Sequence, residues 1–211
     1  MPAAMDFIRP RALRFRTSSA ALPGACRAGA ALGAVLGLCG VSCGTASPHA
    51  AASPHAAASA DASARVIEAQ AVVARVAHYI DGRRWPELRA LFADQVETDY
   101  RSLFGGEVQV QPADQLVLEG WRTLLSPLES TQHLLGPIDV EITGQTARAE
   151  CHVRGYHRAP AAASGPEWMV AGHYVFSLTR AGESWKITKL VLHASYQTGN
   201  RDLLREAAAK P

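Results

Sequence analysis

Residues 147–158 read Ala147-Arg148-Ala149-Glu150-Cys151-His152-Val153-Arg154-Gly155-Tyr156-His157-Arg158 and alternate almost without error. Ala147, Ala149, Cys151, Val153, Gly155 and His157 share one parity; Arg148, Glu150, His152, Arg154, Tyr156 and Arg158 share the other. Successive side chains of a strand point to opposite faces, so one small, largely apolar face and one charged face predict a half-buried antiparallel strand. The parity puts His157 on the inward face and His152 on the solvated one. A histidine among small residues at a strand end leaves room beside it for a ligand, which a filled core would not.

The same period of two extends on both sides. Ile138, Val140 and Ile142 alternate with acids, and Thr143-Gly144-Gln145 makes a turn. Strands over about 168–180 and 185–197 follow, joined by Ala181-Gly182-Glu183-Ser184. The faces of His173 and His193 on these strands are not set by the pattern. Towards the N-terminus the period changes to helical: Ile67, Val72, Val73, Val76 and Ile80 form one stripe over 65–80, and Asp81-Gly82 ends that helix. A second helix is predicted from Trp85 to Phe92, with Pro86 in its first turn, and a third over about 113–125 with Leu116, Trp121 and Leu124 as anchors. Trp85, Phe92 and Trp121 read as core. Helices followed by antiparallel strands predict an α+β domain over 64–203, with a short tail at 204–211. A curled sheet of this kind has a concave face that helices convert into a pocket.

The chain before residue 64 is of another kind. Its 211 residues hold 21 Lys+Arg and 19 Asp+Glu, a net +2. Five arginines and only Asp6 lie in the first 43 residues, so the rest carries −2 and has no electrostatic footprint for nucleic acid. The arginine-rich start and the apolar 28–43 read as a secretory signal, too short and glycine-rich for a membrane span. Gly40-Val41-Ser42-Cys43 resembles a bacterial lipobox, which predicts export to the cell envelope with a lipid anchor on Cys43. Ordinary cleavage among the later alanines is the rival, and a misassigned start would leave the protein cytoplasmic. Residues 44–63 carry ASPHAA twice and too few large apolar side chains for a core, which predicts a tether. Cys151 alone remains in the body, so no internal disulfide or CxxC site is expected there.

Asp81, at a helix C-terminus, meets the unfavourable end of the helix dipole, at a cost of a few tenths of a kcal/mol or more. Position alone favours a solvent-facing turn aspartate; a compensating histidine is the functional alternative. His133 follows Ser130-Thr131-Gln132 and enters an apolar strand, either as a core histidine bonded to a carbonyl or as an active group. Tyr100, beside Asp99 at the end of a strand, is either a boundary tyrosine or one that aims its hydroxyl at a cavity. No HExxH and no close His/carboxylate spacing singles out a ligand set, so no metal is expected.

Several segments, in order, resemble the SnoaL-like branch of the nuclear-transport-factor-2-like superfamily. They are Ile80-Asp81-Gly82-Arg83-Arg84-Trp85-Pro86-Glu87-Leu88, Asp99-Tyr100-Arg101-Ser102-Leu103, Thr131-Gln132-His133, Arg154-Gly155-Tyr156-His157 and Gly182-Glu183-Ser184-Trp185-Lys186-Ile187. Within it the chain looks similar to scytalone dehydratases and bile-acid 7α-dehydratases. The resemblance implies a cone of three N-terminal helices packed on a strongly curved, mostly antiparallel sheet around one pocket. It implies that Asp81 and His133 are the catalytic pair, and that Tyr100 and His157 hold substrate. The serine and asparagine of a later strand in scytalone dehydratases are replaced by residues near Gly172 and Tyr174, which makes Tyr174 a candidate contact. Ile80 replaces a tyrosine there, with Tyr79 adjacent.

The resemblance implies a cofactor-independent dehydratase, lyase or isomerase acting on a small hydrophobic carbonyl compound, with homodimerisation common among such proteins. Elimination from a β-hydroxy carbonyl needs only acid–base work. The competing expectation is a non-catalytic small-molecule-binding or dimerisation module of an envelope-tethered protein, since fold alone does not award activity. An Asp81–His133 contact beside an open cavity favours the enzyme. A cavity plugged by Tyr174 or Trp121, with His133 bonded only to backbone, favours the module.

Overall fold

The computed structural model describes residues 54–209, with side chains from residue 58; Cys43 and the leader lie outside the described residues. Helix α1 spans Pro54–Asp81. It begins ten residues before the expected start of the domain, inside the segment read as a tether. Alanine, the best helix former, explains the extension, and the side chains of 58–64 are all exposed, so this part adds nothing to the core. The buried stripe runs Ala69, Val72, Val73, Val76, Ala77 and Ile80. Ile67, expected in that stripe, is 64% exposed, because at 100° per residue it points away from the 69–80 face.

Helix α2 covers Trp85–Arg89, and Phe92, expected to close it, instead opens strand β1, Phe92–Asp99. Its ring is buried there. Two short elements follow that the sequence reading missed: α3, Arg101–Phe104, and β2, Gln109–Pro112. The expected third helix is helical, but a π-helix at Gln115–Trp121 runs into α4, Arg122–Leu125. It follows β1 and β2, so among the described residues only α1 and α2 precede the first strand. Strands β3 (Ser130–Leu135), β4 (Asp139–Thr143), β5 (Thr146–Arg158), β6 (Glu167–Ala181) and β7 (Ser184–Gly199) complete the sheet. Residues 204–208 of the segment expected as a tail belong to helix α5, Leu203–Ala208, with Leu203 and Ala207 buried one turn apart.

The result is a mixed α+β fold with an open, curved sheet of seven strands in the order β2-β1-β7-β6-β5-β3, with β4 also paired to β5. Only β1 and β7 run parallel. The register of β6 against β7 slips at Ala171/Gly172 and at Ser177/Leu178, and such bulges bend a strand. A Cβ on Gly172 would lie 2.2 Å from the His193 carbonyl oxygen, so this close approach admits only glycine. The alternation of β5 is borne out at every inward position from Ala147 to His157. Helix α1 lies on the inner face, and the Trp185 indole N–H donates to the Arg65 carbonyl at 3.2 Å, pinning its packed half to the sheet.

Candidate functional site

Asp81 is the last residue of α1, and a Schellman closure holds it there: Arg84 N–H bonds Tyr79 O at 2.8 Å and Arg83 N–H bonds Ile80 O at 3.1 Å. The residue in the left-handed conformation is Arg83, with φ +56°, rather than Gly82. The turn delivers the Asp81 carboxylate to β3, fifty-two residues on. Oδ2 accepts from the His133 backbone N–H at 2.7 Å, while Oδ1 accepts from the Thr131 hydroxyl at 3.0 Å and lies 2.7 Å from His133 Nδ1. Burial acts to raise the Asp81 pKa, but the bonds from His133 and Thr131 outweigh it and hold the carboxyl below its ordinary value. Asp81 is therefore not a solvent-facing turn residue. The unfavourable dipole of α1 is offset by these three donors.

His133 sits on the inner face of β3 with its side chain 9% exposed. A carboxylate only accepts, so Nδ1 carries the proton against Asp81, leaving Nε2 as the bare nitrogen of the neutral ring. His157, opposite Thr131 on β5, sets its ring at right angles to His133, centroids 5.4 Å apart. Its other face packs on Trp168 at 4.9 Å, and its Nδ1 donates to the Trp168 carbonyl at 3.3 Å. Burial, then the neighbouring His133, push the His157 pKa down to about 4, so at neutral pH this imidazole is uncharged. Gly155 lies between the two rings on β5. A Cβ there would stand 3.2 Å from both His133 and His157, so the missing side chain makes their positions possible.

His133, Gly155, His157 and Trp168 line a cavity of about 340 Å³. Most of its wall is apolar: Val76 and Ile80 of α1, Leu116 and Trp121 of the π-helix, Val170 and Phe176 of β6. No arginine or lysine reaches it among the described residues. Tyr100, in the turn after β1, and Tyr174, on β6, place their side chains in the same wall. Burial raises both phenols well above their ordinary pKa, Tyr100 further through Tyr174, so both are protonated donors at neutral pH. Trp121, read as core, is half-buried and forms cavity wall, edge-on to Phe92 at 5.8 Å. Gln109, Gln111 and Gln115 line the space with the exposed Phe104 and Leu124.

The structure thus brings Asp81, His133, His157, Tyr100 and Tyr174 into one neighbourhood. His152, His173 and His193 lie on the outer face, directly opposite one another across β5, β6 and β7. The buried Cys151 thiol, raised to about 11 by burial, is inert. Sequence reasoning missed Thr131 as partner of Asp81 and Arg83 as partner of Thr131, although both fall inside the quoted motifs. Trp168 as partner of His157 and Leu204 of α5 as cavity wall carried no local signal.

A family described as SnoaL-like domain matches residues 62–191 of this chain. Among solved structures, Kfla4162 from Kribbella flavida is 28% identical, with a TM-score of 0.63, over 68% of this chain and 99% of that one. A scytalone dehydratase-like protein from Novosphingobium aromaticivorans shares the fold at 19% identity and TM-score 0.55, over 65% of this chain and 88% of that one. A hexachlorocyclohexane dehydrochlorinase (LinA) type 2 does so at 17% and 0.58, over 67% and 93%. No curated protein matches the chain significantly.

Proposed function

The chain belongs to the family of SnoaL-like domains, and on that premise we propose that it is a cofactor-independent lyase that eliminates water from a neutral, hydrophobic β-hydroxy carbonyl compound. The observation that carries this reading is the Asp81–His133 contact of 2.7 Å beside an open, mostly apolar cavity. Neither Tyr174 nor Trp121 plugs that space, and His133 is bonded through its side chain as well as its backbone. The dehydratase-like and dehydrochlorinase neighbours support an elimination chemistry at the level of the fold.

His133 is the base and then the acid. Its Nε2 takes the proton alpha to the carbonyl, and the electron pair moves into an enolate. The enolate reforms the carbonyl as the β carbon–oxygen bond breaks, and the imidazolium returns the proton to the departing hydroxyl as water. Asp81 holds the Nδ1–H and stabilises the imidazolium formed in between. Tyr100 and Tyr174, held as donors, bind the carbonyl oxygen, where negative charge develops. His157 donates to Trp168 through Nδ1, so its Nε2 is an acceptor, suited to a substrate hydroxyl rather than to a carbonyl. The absence of cationic side chains from the described wall argues against a carboxylate or phosphate on the substrate. The partner is accordingly a small hydrophobic molecule and not nucleic acid. Export with a lipid anchor on Cys43, and homodimerisation, are parts of the same proposal that rest on sequence.

The test is turnover of a panel of β-hydroxy ketones, followed by the ultraviolet absorption of the enone, in wild type, His133→Ala and Asp81→Asn. Turnover in wild type that both variants lose supports the mechanism. Turnover that both variants retain refutes it.

A further inference from the structure

Arg83 is the only non-glycine residue with a positive φ among those described. It occupies the position after α1 that glycine takes without strain, and a side chain there is disfavoured. Strain of this kind persists where the surroundings give the residue a task. The guanidinium turns back towards β3, with Nη1 3.1 Å from Thr131 Oγ1 and 3.4 Å from Ile80 O, and Nη2 3.5 Å from Leu128 O. Its carbon lies 5.9 Å from the centre of the Trp85 ring. A guanidinium only donates, so the Thr131 oxygen accepts from it. The single hydroxyl proton is then committed to Asp81 Oδ1, 3.0 Å away.

We propose that Arg83 and Thr131 are positioning residues: the guanidinium orients the Thr131 hydroxyl, the hydroxyl fixes the Asp81 carboxylate, and the carboxylate fixes the tautomer and ring angle of His133. The chain of contacts runs Arg83 to Thr131 to Asp81 to His133, and the one hydroxyl proton of Thr131 has Asp81 Oδ1 as its acceptor. Without the arginine, the threonine hydroxyl is free to rotate and donate elsewhere. Without the hydroxyl, Oδ1 keeps only the histidine, and the carboxylate gains freedom to turn. Burial lowers the Arg83 pKa, and the nearby Asp81 carboxylate acts in the opposite sense. The proposal rests on the acid–base reading of Asp81 and His133 for its catalytic meaning, but its structural content is measurable without substrate.

The experiment is nitrogen-15 and carbon-13 NMR of the ligand-free protein at pH 8 and through the acid range, in wild type, Thr131→Val, Thr131→Ser and Arg83→Gly. Wild type is expected to show His133 protonated on Nδ1 alone. Thr131→Val is expected to show a mixture of tautomers, with the Asp81 carboxyl titrating at higher pH, because a bond that lowers its pKa is gone. Thr131→Ser restores both signals. Arg83→Gly, with its backbone relaxed, is expected to melt no lower than wild type and still to show the tautomer mixture, which a merely structural arginine would not cause. In turnover, Thr131→Val and Arg83→Gly are expected to lose roughly tenfold in kcat with KM within about twofold. Wild-type tautomer and Asp81 titration in Arg83→Gly overturn the proposal, including where Thr131→Val does not fold. Altered tautomers in a protein whose wild type turns over nothing leave the relay standing and overturn the lyase reading. Turnover with unaltered tautomers does the reverse.

Discussion

The two faces of one sheet carry histidines of opposite character. His133 and His157 point inward from β3 and β5, where each is held through Nδ1 by an acceptor and the second is stripped of charge by burial. His152, His173 and His193 point outward from β5, β6 and β7 and touch one another instead, with ring centroids 6.4 Å and 4.6 Å apart. Strand parity separates the two sets. His133 is fixed by Asp81 from a distant part of the chain and His157 by the carbonyl of its cross-strand partner Trp168, while the outer ladder is a row of ring contacts between cross-strand neighbours. Chemistry therefore follows from what anchors the second nitrogen, not from the presence of an imidazole.

Truncation tests that contrast most severely. His133→Ala is expected to lower turnover about 10²–10⁴-fold, the usual contribution of a positioned acid or base. His152→Ala, on the same sheet, is expected to stay within about twofold of wild type in the same assay. Equal losses would erase the distinction between the faces.

Acid comes next. The folded pKa of His157 is about 4 and the ordinary value is 6.5, so between these limits the unfolded chain binds the extra proton. Stability associated with neutral His157 is complete above about pH 6.5 and is lost as pH falls to 4, by roughly 3 kcal/mol. Asp81, with a lowered pKa, loses its contribution only below its ordinary 3.8, outside that window. The gap between denaturant melts at pH 7 and pH 4.5 is expected to narrow sharply in His157→Gln and only slightly in His173→Ala, whose more exposed imidazole also has a lowered pKa.

Gly155→Ala sharpens the inner side. The added methyl presses on both rings at 3.2 Å, and overpacking of this kind is expected to cost about 1–3 kcal/mol, read as a lowered denaturation midpoint with unchanged slope. The smallest effect belongs to the ladder: His193→Ala removes one exposed cross-strand contact, worth about 0.2–1 kcal/mol by the same measurement.

The sequence showed most where a residue's neighbours in the chain decide its surroundings. The parity of β5 is local, and so is the buried stripe of α1 from Val72 to Ile80. Ile67 is apolar like that stripe, but its angle on the helix turns it to solvent. The short α3 and the polar β2 carry too little pattern to announce themselves, and a π-turn at Gln115–Trp121 has the same composition as an α-turn. Within the site, His157 was assigned its face by parity, but Asp81 and His133 were undecided by position because their partnership spans fifty-two residues. The resemblance pointed to that pair. Arg83 stayed hidden because the adjacent Gly82 is the more usual helix stop.

The parallel pairing of β1 with β7 has a consequence for the order in which the molecule can be completed. Thr98 and Asp99 meet Leu190 and Val191, more than ninety residues further along. The contacts among Asp81, Thr131 and His133 involve nothing beyond β3. The container does, because Leu190 and Leu192 of β7 and Leu204 of α5 are among its last walls. Closing so long a loop is entropically slow. The walls of the cavity are therefore complete only when β7 and α5 are in place.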